Sequence, residues 1–531
     1  MQKNEPIIPE SAEATTKTLH QAGAMKQVVP QEFSRGARAI TASMLYSLVS
    51  CPHRVTMDLF ADPAQRDPVN AFVELLWERG SAVERERMAS LDVPFIDLQA
   101  LTTTEKANKT REAMAAGAPL IYGGRIEADD LLGEPDLLRK EGADYVPGDI
   151  KSGAGEEGGD DEGNDSRPKK TYAVQLALYV DILERLGVSA GRRGFIWDVH
   201  GAEVTYDMTA RRGARNSETW WDFYAAQLAT ARGIMARTND TLPAYASGTC
   251  KLCHWYSSCF KALKAADDLT LISELGRAKR DAMCSEIKTV AELATVNPEV
   301  YTKGKKTVFA GIGPDTLAKF HERARLLSSP NPKPYLKAPV TLPAHECELF
   351  FDIEFDPMRD LCYLHGFIER RGCDNNTEKF FGFFIPDATP AAEEAAFAQA
   401  WDYMRRAEPC AIFYYSKYER TIYRKLQAKY SSVCSADDIE ALFEPTNTVD
   451  LYFDVVKPHT EWPTNDFSIK TLAKYLGFQW RDTHPSGAAS IQWFDEWVKT
   501  GSPETRQRIL DYNEDDCRAT RVLLDGIRKL G

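Results

Sequence analysis

The sequence predicts an α/β fold class with two domains, one in each half of the chain. The chain has 531 residues, which is enough for two or three domains that each bury a core. Short apolar strand patterns alternate with amphipathic helix patterns in both halves. A proline-rich segment at residues 329–344 stands between the halves and has the composition of a linker.

The composition predicts a soluble intracellular protein, and we expect a cytoplasmic location. The first residues are polar and lack the apolar core of a signal peptide, and no apolar run approaches the roughly 20 residues that span a bilayer. The formal net charge is −13. This charge does not exclude a nucleic-acid partner, because a cleft can be positive on an acidic protein and metal-binding carboxylates add to the negative count.

The first half shows the pattern of a sheet covered by helices. Residues 1–38 are polar without periodicity and are predicted to form a flexible arm. A domain is predicted over residues 39–264, and a segment rich in Gly, Asp and Glu at 153–170 is predicted to be a flexible insertion. The clearest elements of this domain are a helix at 71–88, a strand at 145–151 and a helix at 175–186.

Residues 265–328 are predicted to form a helical connector between the two domains. Two of its segments, Ile272–Gly276 and Gly311–Gly313, are similar to helix-hairpin-helix turns, which present backbone N–H groups to nucleic-acid phosphates. Pro314 is expected at the first turn of a helix, where its missing N–H is harmless. A plain helical spacer is the alternative interpretation of the connector.

The first half carries residues suited to phosphodiester hydrolysis. Asp136 and Asp149 belong to neighbouring predicted strands and can hold Mg²⁺ or Mn²⁺. Lys151 follows Asp149 by two positions, so both side chains point to one face of the strand. Gln175 and Tyr179 stand one turn apart on the next helix. The alternative for an isolated Asp-x-Lys triplet is a surface strand with one salt bridge.

Together with Gly133 and the strand context, this set resembles the RecB-like branch of the PD-(D/E)XK nucleases. The resemblance implies a restriction-endonuclease-like fold in which the aspartates hold metal, the lysine acts on the attacking water, and the Gln and Tyr face the substrate channel. Many RecB-like members have a histidine on the early helix. Residues 80–84 contain none here, so Glu84 is the predicted replacement in the metal shell.

Four cysteines bracket this carboxylate set and can hold a metal cluster: Cys51, Cys250, Cys253 and Cys259. Four thiolates suit either Zn²⁺ or a [4Fe–4S] cluster. The one-plus-three division resembles the iron–sulfur exonucleases, which implies a [4Fe–4S] cluster that joins the two ends of the domain, with Zn²⁺ as the alternative. His254 is a further candidate ligand, although a capping or core role is favoured. The other seven cysteines show no ligand spacing and are predicted to be buried: Cys284, Cys347, Cys362, Cys373, Cys410, Cys434 and Cys517.

The second half, residues 345–531, has its own carboxylate set. Asp352 and Glu354 lie two positions apart on an apolar strand at 349–354, and two metal ions would offset the cost of burying both charges. Tyr512 and Asp516 lie four positions apart on a terminal helix predicted at 506–530.

This pattern resembles the DnaQ-like (DEDDy) 3′–5′ exonucleases of the RNase H fold. The resemblance implies that these carboxylates hold two metal ions and that Tyr512 orients the attacking water. Glu419 is the best match to the third acidic position of that family, with Asp450 as a second candidate. An RNase H fold without catalysis is the alternative.

The sequence therefore predicts a metal-dependent nuclease with two candidate centres, acting on single-stranded or processed DNA ends. RNA is the alternative substrate, and the expected pathway is repair, recombination or mobile-element processing or defence. The only approach to a phosphate loop, Gly304 to Thr307, lacks the first glycine because Glu299 occupies that place. A helicase is therefore expected only as a separate partner. The alternatives are a nucleic-acid-binding scaffold with one or no active centre, and a zinc adaptor.

Overall fold

The computed structural model describes residues 39–69, 71–158, 166–213 and 217–530. The predicted arm at residues 1–38 lies outside these ranges, as does part of the predicted insertion at 153–170. From Ile40 onward the chain forms one contact unit that includes both halves. None of the helices within the described ranges is long and apolar enough to cross a membrane.

The first half contains sheets of six, three and two strands, with helices packed against them. Its strands are β1 (Ile40–Thr41), β2 (Ile96–Asp97), β3 (Leu120–Tyr122), β4 (Ile126–Ala128), β5 (Leu131–Gly133), β6 (Leu137–Glu141), β7 (Asp144–Ile150), β8 (Glu156–Glu157), β9 (Arg167–Pro168), β10 (Arg193–Trp197) and β11 (Glu203–Asp207). Its helices are α1 (Ala42–Ser50), α2 (Pro52–Phe60), α3 (Ala71–Ala89), α4 (Thr103–Ala115), α5 (Lys170–Leu186) and α6 (Trp220–Met235).

The larger sheet has the order β11-β10-β7-β6-β3-β2 and mixes parallel with antiparallel pairs. Helix α5 is the central helix of this half. Ten of its residues between Ala173 and Leu183 are buried, where the helix packs against α1, α6 and the strands. It ends at Gly187, whose φ of 71° is the left-handed conformation that terminates many helices. The predicted strand at 145–151 and helices at 71–88 and 175–186 are confirmed within these elements.

The connector has a small core of its own. The connector contains α9 (Gly276–Met283), α10 (Val290–Thr295), a hairpin of β12 (Thr302–Lys303) and β13 (Lys306–Thr307), and α11 (Pro314–Leu327). Its core also includes residues of α7 (Ser247–Cys250) and α8 (Tyr256–Ala265), which lie at the end of the predicted first domain. Pro314 opens α11 as expected. The segment Gly311–Gly313 follows the hairpin, so no helix directly precedes that turn.

The second half is built on a five-stranded sheet of order β17-β16-β15-β18-β19. Its strands are β14 (Tyr335–Leu336), β15 (Cys347–Asp356), β16 (Leu361–Arg371), β17 (Asp374–Phe384), β18 (Cys410–Tyr414), β19 (Thr448–Asp450) and β20 (Thr460–Glu461). Its helices are α12 (Pro390–Ala407), α13 (Tyr418–Lys429), α14 (Ala436–Leu442), α15 (Lys457–His459), α16 (Ile469–Tyr475), α17 (Gly487–Thr500) and α18 (Pro503–Arg528), with a π-helical segment at Leu451–Val456.

In this sheet β15 pairs antiparallel with β16 and parallel with β18, which puts β15 at its centre. The predicted strand at 349–354 and the predicted terminal helix are confirmed as parts of β15 and α18. The predicted linker at 329–344 is not wholly separate from the second half, because β14 pairs with β20. With a large mixed sheet in each half and helices around it, the predicted α/β fold class is confirmed.

Polar contacts join the elements of the first half and the connector to the second half. Arg79 on α3 donates to the buried carboxylate of Asp495 on α17. The connector contributes Arg323 on α11, whose Nε lies 2.9 Å from Glu461 Oε2 in a pair that is nearly inaccessible to water. Removing either partner of such a pair would leave an uncompensated buried charge.

Candidate functional site

The first carboxylate set meets where β6 and β7 run side by side. Asp136 immediately precedes β6, Asp149 lies on β7, and the strands pair antiparallel. The Ile150 amide donates to Asp136 Oδ2 at 2.8 Å, and the Asp136 amide donates to Asp149 Oδ1 at 3.3 Å. Each carboxylate is therefore positioned by the backbone of the other's strand.

Lys151 follows β7 and lies on the same side as Asp149, with Nζ 2.8 Å from Asp149 Oδ2. Burial acts to lower the pKa of Lys151, but the charges of Asp149 and Asp136 outweigh it and raise that pKa. Burial and the neighbouring charge of Asp149 raise the pKa of Asp136 well above its usual value. One ammonium thus balances two carboxylates, and a second positive charge would be needed to keep both ionised.

Helix α5 covers this set with the two residues that the sequence placed one turn apart. The Oε1 atom of Gln175 is buried and has no hydrogen-bond partner within the described residues. The Tyr179 hydroxyl lies 3.5 Å from the Glu134 carbonyl, and its ring packs so closely over Gly133 that a Cβ there would be 2.6 Å from Tyr179 Cδ1. Gly133 is therefore required for the close approach of α5 to the strand.

Glu84 on α3 faces the first set from its edge. Its Oε1 accepts from Gln99 Nε2 at 2.9 Å. Burial, opposed by a hydrogen bond from Tyr122 and the charge of Lys151, raises the pKa of Glu84. Its carboxylate and those of Asp136 and Asp149 do not all come within 4.8 Å of one another in the described structure, so its place as a metal ligand stays a prediction.

The second carboxylate set is more compact. Asp352, Glu354 and Asp516 can each bring one oxygen within 4.8 Å of the other two, and within the described ranges this is the one such group of three Asp, Glu, His or Cys side chains. Burial and then the charge of Asp516 raise the pKa of Glu354 to about 8. The same causes raise the pKa of Asp352 well above its usual value. The positive charge near the three carboxylates is therefore too small to keep all three of them ionised.

Asn513, which sequence reasoning did not identify, orients the first aspartate. Its Nδ2 donates to Asp352 Oδ2 at 2.7 Å and lies 3.4 Å from Glu354 Oε1. This reach depends on Gly366, which faces Asp352 across β15 and β16, because a Cβ at that position would lie 1.6 Å from Asn513 Oδ1. Asn513 stands next to Tyr512 in the sequence. Its role depends on a glycine of another strand, so no pattern near Asn513 in the sequence predicts that it contacts Asp352.

Lys470 and Trp480 complete the environment of Asp516 and were also missed. Lys470 Nζ donates to the Tyr512 hydroxyl at 2.8 Å and to Asp516 Oδ2 at 3.0 Å. The Trp480 indole donates to Asp516 Oδ1 at 2.6 Å. Burial and the charge of Asp516 raise the pKa of Tyr512, so its hydroxyl is protonated at neutral pH. Lys470 therefore links the tyrosine and the aspartate of the Tyr-x3-Asp pair.

Glu419 and Asp450 were the two candidates for the fourth acidic position. Asp450 Oδ1 accepts backbone amides from residues 416, 452 and 453, which is the bonding pattern of a helix cap. Glu419 is 3% exposed, and its Oε2 has no hydrogen-bond partner within the described residues. Burial, with the charges of Asp450 and Asp516, raises the pKa of Glu419 well above its usual value. Asp450 Oδ2 is likewise buried without a partner within the described residues, but Glu419 is the one of the two whose charge contributes to the raised pKa of Asp352 in the triad.

The four bracketing cysteines come together although two hundred residues separate the first from the rest. All four are free thiols and half-buried. Burial raises the pKa of Cys259 to about 12, and the neighbouring sulfurs of Cys253, Cys51 and Cys250 add to this effect. Arg277 on α9 donates to Cys51 Sγ at 3.4 Å. The structure thus contains a four-thiol cluster at the junction of the first half and the connector.

Asp58 on α2 forms hydrogen bonds across this junction. It accepts from His254 Nε2 at 2.7 Å and from Trp255 Nε1 at 2.9 Å. His254 therefore binds a carboxylate through Nε2, which supports the structural role favoured for it.

Among the cysteines predicted to be buried, Cys284 and Cys373 are instead exposed, because they lie at a helix end and a hairpin turn; the other five are buried.

The comparisons with known proteins agree with this architecture. Residues 43–260 match the family model of the PD-(D/E)XK nuclease superfamily, and residues 349–527 match that of the RNase H superfamily. No curated protein sequence matches the chain. The chain therefore carries a PD-(D/E)XK nuclease superfamily domain and, C-terminal to it, an RNase H superfamily domain, as the predicted fold class required. Both domains support a hydrolytic nuclease that binds nucleic acid, and PD-(D/E)XK nucleases use divalent metals.

Proposed function

We propose that this protein is a nuclease dependent on Mg²⁺ or Mn²⁺, and that the triad of Asp352, Glu354 and Asp516 is its main cutting centre. The observation that carries this proposal is the spacing of the triad, whose oxygens lie within 4.8 Å of one another. The raised pKa values of Asp352 and Glu354 show that the site lacks positive charge. The unpartnered oxygen of Glu419 points to the same deficit.

A divalent cation held by the triad and Glu419 would supply Lewis-acid stabilisation of charge on the phosphate and an activated water. The chain's own residues do the positioning. Lys470 holds the Tyr512 hydroxyl and Asp516 in one arrangement. The neutral Tyr512 can then accept or donate a hydrogen bond to the attacking water, while Asn513 keeps Asp352 in the orientation that a ligand needs. This is the arrangement expected of a DEDDy-type 3′–5′ exonuclease.

We propose the first centre as a second hydrolytic site of the RecB-like type. Asp136 and Asp149, with Glu84 at the edge, would hold the cation, and Lys151 would orient the water or balance charge on the phosphate. Gln175 and Tyr179 would face the substrate from α5, which is supported by the unpartnered Oε1 of Gln175. The domain boundaries that we propose are 39–264, 265–328 and 345–531.

We propose that Cys51, Cys250, Cys253 and Cys259 hold a [4Fe–4S] cluster that closes the first domain, with Zn²⁺ as the alternative. The convergence of four half-buried free thiols supports a metal site. Four thiolates suit either group, and the division of one cysteine from the other three is the feature that favours the cluster.

The substrate that we propose is a single-stranded or processed DNA end, with RNA as the second candidate. The cellular role would be repair, recombination or mobile-element processing or defence in the cytoplasm, with a helicase acting in trans if unwinding is needed. A nucleic-acid-binding scaffold with only one or no active centre is the second functional candidate, because the first centre lacks the three-carboxylate spacing of the second.

The test is cleavage of end-labelled single- and double-stranded DNA and of RNA by anaerobically purified protein in Mn²⁺. We expect Asp352→Asn to reduce cleavage by roughly a thousandfold, since it removes a metal ligand of the main centre. Asp149→Asn reports the first centre, and Asp402→Asn, an exposed residue on α12, is the matched control. Cleavage that survives Asp352→Asn but not Asp149→Asn would move the main activity to the first centre. Binding without cleavage in the unsubstituted protein would establish the scaffold.

A further inference from the structure

A chain of hydrogen bonds runs from the second centre to the start of α16. Lys470, which bonds Asp516 of the triad, lies in the first turn of that helix. Ser468 caps the helix, because its side chain accepts from the Thr471 amide. Asp466 in turn accepts from the Ser468 amide at 3.0 Å and from the Ser468 hydroxyl at 2.7 Å. Asp466 therefore orients the cap of the helix that carries Lys470.

Tyr245, which precedes α7, bonds the same aspartate from outside the second half. Its hydroxyl donates to Asp466 Oδ2 at 2.8 Å, while both bonds from Ser468 end on Oδ1. Burial acts to raise the pKa of Asp466, but hydrogen bonds from Thr471, Ser468 and Tyr245 outweigh it and lower that pKa. Asp466 is therefore ionised at neutral pH, and hydrogen bonds to an ionised acceptor are stronger than those to a neutral one.

The surroundings of Tyr245 include two of the four thiols. The Ala246 amide, directly after Tyr245, donates to Cys250 Sγ at 3.4 Å. The ring of Tyr245 packs against Phe260 with centroids 5.6 Å apart, and Phe260 follows Cys259 in the sequence. Thiols that hold a metal would therefore restrict the segment that presents the Tyr245 hydroxyl. The roles proposed above use neither Tyr245 nor Asp466.

We propose that Tyr245 and Asp466 are positioning residues of the second centre, and that they link it to the four-thiol site. The inference rests on the proposed function, because it takes the thiols as a metal site and the triad as the cutting centre. With metal at the thiols, Tyr245 holds Asp466 and the cap of α16. Lys470 then keeps the Tyr512 hydroxyl beside Asp516. Loss of that metal frees α16, so the two sites are coupled in free energy.

The chain contains a matched control for the tyrosine. Tyr403 on α12 donates to Glu369 Oε2 at 2.8 Å, the distance at which Tyr245 donates to Asp466. Within the described part of the chain, no hydrogen bond links Tyr403 or Glu369 to α16. Tyr245→Phe and Tyr403→Phe therefore remove the same kind of bond and keep the ring, and Asp466→Asn tests the acceptor.

Hydrogen exchange, followed by mass spectrometry without added Mn²⁺, reports the opening of α16 through residues 469–475. We expect Tyr245→Phe and Asp466→Asn to raise the exchange rate of this segment about tenfold, and Tyr403→Phe to leave it unchanged. Removing the metal from the thiols by oxidation and chelation should raise it similarly in the unsubstituted protein. The same treatment should add little in Tyr245→Phe, because the link is already broken.

Cleavage in Mn²⁺ tests whether the movement of α16 reaches Lys470. Tyr245→Phe should lower kcat about tenfold and change KM by less than about twofold, and Tyr403→Phe should alter neither. In a Lys470→Gln background, Tyr245→Phe should have little further effect on kcat, because the residue through which it acts is gone. General destabilisation would lower kcat equally in both backgrounds.

Unchanged exchange of residues 469–475 in Tyr245→Phe would overturn the assignment, and so would equal effects on kcat with and without Lys470. The link to the thiols would be overturned by protein that carries no metal there, or by equal effects of metal removal with and without the Tyr245 hydroxyl. If metal removal unfolds α5, the variants of the loaded protein decide the question.

The same proteins separate this inference from the proposed function. If the expected exchange occurs and no protein cleaves, the proposed nuclease function fails and the link stands. Asp352-dependent cleavage that Tyr245→Phe does not alter gives the opposite result.

Discussion

A single methyl group at position 366 should disrupt the second centre without altering any carboxylate. A Cβ on Gly366 would lie 1.6 Å from Asn513 Oδ1 and 2.8 Å from Asn513 Cγ, far inside van der Waals contact. Asn513 is fully buried and donates to Asp352 Oδ2 at 2.7 Å. Gly366→Ala must therefore displace the carboxamide from the position in which it holds Asp352.

The size of the effect follows from two costs. Loss of a hydrogen bond to a charged group costs about 1.5–3 kcal/mol, and an extra carbon in a packed core costs about 1–3 kcal/mol. We expect Gly366→Ala to lower the free energy of unfolding by roughly 2.5–6 kcal/mol. This is a large fraction of the roughly 5–15 kcal/mol that stabilises a typical domain.

The assay is denaturant unfolding followed by tryptophan fluorescence, in a double-mutant cycle with Asn513→Ala. Removing the Asn513 carboxamide removes the clash, so Gly366→Ala should cost less than about 1.5 kcal/mol in that background, where the contact of 3.1 Å with Phe380 remains. Calorimetry should also show weaker Mn²⁺ binding in Gly366→Ala. Equal costs in the two backgrounds would refute the role assigned to this glycine.

Three further predictions concern metal, pH and a buried ion pair. Mn²⁺ at a hundred times its Kd should raise the free energy of unfolding by about 2.7 kcal/mol in a thermal-shift assay, and an equal rise in Asp352→Asn would contradict metal binding by the triad. Burial lowers the pKa of His365 to about 3, below its unfolded value near 6.5. The unfolded state therefore binds one more proton than the folded state, and the free energy of unfolding should fall by up to about 1.4 kcal/mol per pH unit as pH drops from 6.5 toward 3. The free energy of unfolding of His365→Gln should depend less steeply on pH. An identical pH dependence in the two proteins would show that His365 is not its cause. Arg370 bonds Glu348 at 2.6 Å in a pair almost inaccessible to water, so Arg370→Met should cost about 3 kcal/mol, and an unchanged unfolding midpoint would argue against it.

The parts of both sites that lie close together in the chain were predictable from spacing. Asp352 and Glu354 share a strand face because side chains alternate, and Tyr512 and Asp516 share a helix face because they are one turn apart. The same rule relates Asp149 to Lys151. Local geometry alone sets these relations, so a sequence is sufficient to predict them.

The environment of each carboxylate was not predictable in this way. Lys470 lies on another helix, and nothing in its sequence context distinguishes it from other lysines. Gly366 is required only because α18 approaches β16 closely enough for Asn513 to reach across. The choice between Glu419 and Asp450 also depended on packing, since one of the backbone amides that donate to Asp450 comes from residue 416, which is far from it in the chain.

The sequence by itself determined the α/β fold class, the two carboxylate sets and the four-cysteine set, because hydrophobic periodicity and ligand spacing are local properties. Only the tertiary structure decided that Cys51 meets cysteines two hundred residues away, and that the second carboxylate set has the closer, metal-like spacing. These are distances between segments far apart in the chain, and packing fixes them where no local pattern does.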